Sequence, residues 1–93
     1  MDTPSEFEWD DIKAEGNLTK HGIPFDVAIG VFADPDHVVV TTVRVQDGES
    51  REKAIGTIAG RLVTVVFVMR SDVCRLISAR RANAGEERSY GQG

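Results

Sequence analysis

The stretch Arg61–Arg81, "RLVTVVFVMRSDVCRLISARR", decides the fold. Its first part, Arg61 to Met69, is rich in β-branched residues and apolar on both sides of a period-2 repeat. That pattern predicts a strand at the centre of a sheet, covered on both faces. Ser71-Asp72 is a turn signal, and Val73 to Arg80 resumes as a second strand. A connection this short predicts an antiparallel pair.

Working outward, Val38 to Val45 and Arg51 to Ala59 read as two further strands. Asp47-Gly48 signals the turn between them, and Gly60 begins the turn into the central strand. Gly56 is expected to interrupt the second strand. Before Asp34-Pro35-Asp36 the pattern is helical. A first helix is predicted from about Asp11 to His21, with Asp10 as N-cap and Gly22 as the C′ residue. Ala14, Leu18 and His21 are expected to share one face of it at i, i+4, i+7 spacing. A second helix is predicted over Phe25 to Phe32, with Phe25, Ala28, Ile29 and Phe32 buried and Pro35 closing it. A short C-terminal helix is weakly signalled at Glu86 to Tyr90. The expected class is α+β: two N-terminal helices packed on a four-stranded antiparallel sheet, as a single domain over residues 1–93.

Composition narrows the function classes. Apolar residues make up 41% and charged residues 28%, which fits a globular domain rather than a disordered chain. No apolar run reaches the ~18–20 residues of a membrane span. The start, "MDTPSEFEWD", lacks the basic and apolar regions of a signal peptide. The single Cys74 lies in an apolar strand pattern and reads as a small buried hydrophobe. A reducing cytoplasm is the expected compartment. His21 and His37 have no Cys or second His at ligand spacing, and no glycine-rich phosphate loop occurs, so neither a metal nor a cofactor is expected.

The net charge of −4 conceals an asymmetry. Residues 1–37 carry nine acids against two bases, a net −7, whereas residues 38–93 carry six acids against nine bases, a net +3. Most of those later bases are arginines, whose planar fork suits phosphate. Arg75, Arg80 and Arg81 crowd one strand. Strict alternation sends Cys74, Leu76, Ser78 and Arg80 to one face and Arg75, Ile77, Ala79 and Arg81 to the other. Arg75 and Arg81 could then share the face that the helices leave open, with Arg51 and Lys53 on a common face of their own strand. Each arginine has a plain alternative, an ion pair with the acidic half or with Glu49 or Glu52. Lys20 and His21, at the end of the first helix, either satisfy its last carbonyls or offer proton transfer. Trp9 reads as a core anchor or, less simply, a base-stacking platform.

Taken together, "FEWDDIKAEGNLTKHGIPFDVAIGVFADP", "IGTIAGRLVTVVFVMRSD", "RLISARRA" and "EERSY" occur in an order and spacing that resembles the BrnT toxins of bacterial type II toxin–antitoxin pairs. The resemblance runs from Phe7 to about Tyr90. It implies a RelE-like ribonuclease fold, RNA cleavage without a metal, and arrest of translation. It implies a ribbon-helix-helix antitoxin, BrnA-like, through which alone operator DNA would be bound, and a toxin–antitoxin heterotetramer. The "KHG" of the family falls on Lys20, His21 and Gly22, and "ISARRA" on Ile77 to Ala82. With that chemistry, Arg75 and Arg80 or Arg81 are the residues expected at the RNA phosphate, with Arg51 assisting and His21 or Lys20 managing protons. Two other readings stand beside it: a catalytically inert antitoxin-binding partner acting in promoter autoregulation, and an RNA-binding domain that does not cleave.

Overall fold

A computed structural model describes residues 3–46 and 49–92. The elements, in chain order, are β1 (Glu6–Glu8), α1 (Asp11–His21), α2 (Phe25–Ala28) continuing into a 3₁₀ turn (Ile29–Ala33), β2 (Val38–Gln46), β3 (Glu49–Ile58), β4 (Arg61–Arg70), β5 (Val73–Arg81) and α3 (Ala84–Gln92). The sheet order is β1-β5-β4-β3-β2. The β2 to β5 meander is antiparallel, and β4 is central as its two-sided apolar pattern requires.

The expected four-stranded sheet is corrected to a five-stranded mixed one. Glu6, Phe7 and Glu8 pair in parallel with Val73, Cys74 and Arg75. Three residues alternating acid, aromatic, acid are too short to announce a strand. They become one only because β5 offers an unpaired edge there. The Asp47-Gly48 turn lies outside the described residues.

Local chemistry explains α1. The Asp10 carboxylate accepts from the Ile12 N–H at 3.0 Å, and Gly22 takes the left-handed conformation (φ 75°) while its N–H closes onto Leu18 O. The buried position on this helix is not Leu18, which is 46% exposed, but Asn17. The second helix is shorter than expected, because after Ala28 the chain tightens into the 3₁₀ turn and buries Val31 with Phe32. The core lies between these helices and one sheet face: Phe25, Ala28, Val31 and Phe32 against Ala54, Val63, Val65, Phe67, Cys74, Leu76 and Ala79. Trp9 is half-buried with its ring edge-on to Phe25, 5.8 Å between centroids, so it is a core anchor. Burial pushes the Cys74 thiol up to about 12, which suits an inert small hydrophobe.

Gly56 does not interrupt β3. A Cβ at that position would stand 2.9 Å from the Val31 carbonyl oxygen, so glycine is what allows the 3₁₀ turn to lie against the sheet. Between β3 and β4, Ala59 and Gly60 both take positive φ, 52° and 80°, forming the two-residue turn that a twisted hairpin prefers.

Candidate nucleic-acid interface

One extra residue in β5 sets the site. Met69 pairs with Cys74 and Phe67 with Leu76, but Val66 pairs with Ser78, so Ile77 is a bulge. Directly opposed residues share a face. Arg75 opposite Val68, Ser78 opposite Val66 and Arg80 opposite Thr64 therefore lie together, on the face away from the core. Arg81, opposite Val63, lies with Ala79 on the core side. This corrects the strict alternation read from sequence: Arg75 shares its face with Arg80, not with Arg81. Lys53 stands opposite Val66 on the same outer face, and two residues earlier Arg51 projects the same way. Among the described residues, Arg51 and Lys53 of β3, Arg70 of β4, and Arg75 and Arg80 of β5 thus stand on one side of three adjacent strands.

Three of them, Arg75, Arg80 and Lys53, are held by carboxylates of the same chain. Arg75 Nη1 donates to Glu8 Oε2 at 3.0 Å, a half-exposed pair across the β1–β5 junction. Arg80 makes a two-pronged contact with Glu86, Nη1 to Oε1 and Nη2 to Oε2, both 2.8 Å. Glu86 is only 4% exposed and collects three further donors: Lys53 Nζ at 3.0 Å, Thr64 Oγ1 at 2.9 Å and the Asn83 N–H at 2.9 Å. Burial raises its pKa, but Arg80, Asn83, Lys53 and Thr64 together outweigh that and hold the carboxyl well below the usual range. The Arg80 guanidinium is pushed up by its bond to Glu86. In return the Glu86 N–H donates to Asn83 Oδ1 at 2.9 Å, so Asn83 and Glu86 form a capping box that starts α3. Asn-x-x-Glu ahead of a helix is a signature that points to this role. Its partners on β3, β4 and β5 have no such signature.

At the other end of α3, Tyr90 Oη donates to Asp34 Oδ2 at 2.8 Å, where the Thr57 N–H (2.9 Å) and Thr57 Oγ1 (3.0 Å) also converge. Backbone N–H groups of Thr57 and Asp36, with the Tyr90 and Thr57 hydroxyls, bring the Asp34 carboxyl down to about 2 against the opposing effect of burial. The terminal helix, longer than the expected Glu86 to Tyr90, therefore crosses the outer sheet face on two polar anchors.

Lys20, His21 and Arg81 belong elsewhere. Asn17 grips β5 at Ala79, donating to its carbonyl (2.9 Å) and accepting from its N–H (3.1 Å), and also donates to Ile23 O (3.2 Å). His21 is one turn further on the same helix face, and Arg81 is two residues further along the same strand face. Both groups lie beyond this tie, on the core side of the sheet's end. Among the described residues, Arg51, Arg81, Lys20 and His21 have no side-chain hydrogen bond or ion pair. A cleft of about 700 Å³ opens at the opposite end, near Pro4, Phe32, His37 and Met69, but Glu6, Glu52 and Asp72 line it and disfavour an anion.

The outcome is a small α+β domain with guanidinium and ammonium groups on one sheet face, several of them paired with carboxylates of the same chain. The model of the family described as "Ribonuclease toxin, BrnT, of type II toxin-antitoxin system" matches residues 9–86. The chain belongs to that family, whose type II character implies an antitoxin partner. No curated protein matches the chain. Among the described residues no helix is long and apolar enough to cross a membrane.

Proposed function

We infer that this chain is an endoribonuclease toxin that cleaves RNA by metal-independent transesterification and so blocks translation. The observation that carries the reading is the β5 bulge, which turns Arg75 and Arg80 to the face bearing Lys53 and Arg51. In this chemistry the substrate's 2′-hydroxyl attacks the adjacent phosphorus. A 2′,3′-cyclic phosphate forms and the 5′-oxygen leaves with a proton. The enzyme must stabilise the phosphorane charge, a task that several fixed cations perform well. Arg75, Arg80, Arg51 and Lys53 take that role. Arg81, Lys20 and His21 lie on the core side at the end of β5, and in this proposal His21 or Lys20 carries the proton for a substrate whose backbone wraps round that end.

The fold is taken as RelE-like, the cell compartment as cytoplasm, and the antitoxin as a BrnA-like ribbon-helix-helix protein. That antitoxin binds operator DNA for the pair in a heterotetramer. A second reading is an inert antitoxin-binding partner in autoregulation. It is favoured by the fact that Arg75 is already engaged by Glu8, and Arg80 and Lys53 by Glu86.

The test is cleavage of end-labelled RNA in the presence of a chelator, comparing wild type with Arg75→Ala and Arg51→Ala. These two are chosen because neither touches the Glu86 cluster. The toxin reading expects cyclic-phosphate and 5′-hydroxyl ends, and a loss of tenfold or more in each variant. Absence of cleavage with antitoxin binding intact supports the inert partner, and 5′-phosphate ends would refute the transesterification.

A further inference from the structure

We propose that α3 is a displaceable cover, and that the Glu86 carboxylate occupies an anion site on the sheet which takes an RNA phosphodiester when the helix lifts. The proposal rests on the reading of the outer face as an RNA surface.

Three observations lead to it. The first is the stoichiometry of charge. Two cations, Lys53 and Arg80, and one hydroxyl, Thr64, converge on a single carboxylate that is almost wholly buried. A carboxylate offers two oxygens and one negative charge, as does the non-bridging pair of a phosphodiester. Exchanging one for the other leaves the cluster's charge unchanged and matches the Arg80 fork equally well. The Asn83 N–H belongs to the helix start and leaves with it. Lys53 Nζ, Thr64 Oγ1 and the Arg80 guanidinium remain on three adjacent strands as the site.

The second is how α3 is attached. Its sequence, "AGEERSYGQ", contains no aliphatic side chain larger than Ala84, and Ala84 is exposed. Its described anchors are Glu86 and Tyr90, one turn apart and both polar. On the sheet side Ile55, opposite Thr64, is fully buried on this face, so α3 is docked by its hydrogen bonds over a small apolar area; such hydrogen bonds exchange for water or for another ligand at little net change. A large apolar area does not.

The third is the low intrinsic stability of α3. Gly85, Gly91 and Ser89 are poor helix formers, and nine residues is short of the ~12–15 at which an isolated helix becomes even marginal. Its order is therefore borrowed from the Glu86 and Tyr90 contacts.

The experiment is hydrogen exchange on the full wild-type chain, free and with a 2′-O-methyl RNA oligonucleotide. The oligonucleotide lacks the nucleophile and so stays intact. The cover predicts that amides of Glu86–Tyr90 exchange at least tenfold faster in the bound state, while those of β4 and β5 slow. Two variants read the same equilibrium by affinity. Glu86→Gln removes the internal anion and is expected to bind the oligonucleotide about tenfold more tightly. Tyr90→Phe releases the other anchor without touching a cation and is expected to bind several-fold more tightly. Unchanged or increased protection of α3 in the complex overturns the cover, whatever the variants do. Arg75→Ala separates the two readings. If it weakens binding while α3 stays protected, only the cover fails. If it has no effect, or nothing binds, the RNA surface fails and the cover with it.

Discussion

Replacing Asn17 by Ala tests whether one side-chain amide closes the edge of the sheet. Among the described residues, β5 has no strand partner on its outer side beyond Arg75, since β1 pairs only with Val73 to Arg75. At Ala79 both the N–H and the C=O turn outward, and the Asn17 amide meets them with the donor–acceptor pair that a neighbouring strand would present. Asn17→Ala strips partners from two backbone groups of Ala79, which is wholly buried, and from Ile23 O, which is partly so. An orphaned buried group costs about 1–3 kcal/mol. Two such groups, partly rescued by water at the opened edge, give an expected loss of about 2–4 kcal/mol. For a chain of this size that is a large share of a total stability of roughly 5–14 kcal/mol. The expected fall in Tm is on the order of 10–20 °C. Urea unfolding followed by far-UV circular dichroism measures the loss directly. Asn17→Asp sharpens the test. Its carboxylate can accept from the Ala79 N–H but cannot donate to the Ala79 carbonyl unless protonated. Its folded pKa is thus raised above the unfolded value, and its stability should improve as pH falls below neutrality, opposite to the wild type. A loss below about 1 kcal/mol in Asn17→Ala, with an unchanged unfolding slope, would refute the edge-closing role.

Other expectations concern glycines and acid. Gly16 sits in α1 with open space around the position of a Cβ, so Gly16→Ala should stabilise the chain by about 0.5–1 kcal/mol in the same assay. Gly56→Ala should do the reverse, by about 1–3 kcal/mol, because its Cβ meets the Val31 carbonyl; the urea midpoint again reports it. Asp34 and Glu86 both have folded pKa values below their unfolded ones, so their contribution is complete above about pH 5. It is lost as pH falls, for Asp34 through about 2. A Tm profile from pH 7 to pH 2 should decline steadily below pH 4.5, and Asp34→Asn should flatten part of that decline.

The local features of this chain are legible from residues alone because their causes are local. Asp10 caps a helix through a bond two residues away, and Gly22 ends it through its own φ. The apolar run Arg61 to Met69 is central because both its faces need covering. The concentration of arginine in the later half is legible as composition alone. Tertiary structure alone decided how those arginines group. The bulge at Ile77 depends on the register of β5 against β4, a relation between distant residues, and it reverses which arginine accompanies Arg75. The same holds for β1, for the grip of Asn17 on Ala79, and for Glu86 among Lys53, Thr64 and Arg80. Each is a polar or short segment with no periodic signal of its own. Its role arises only when the fold supplies the partner that its hydrogen-bonding groups require.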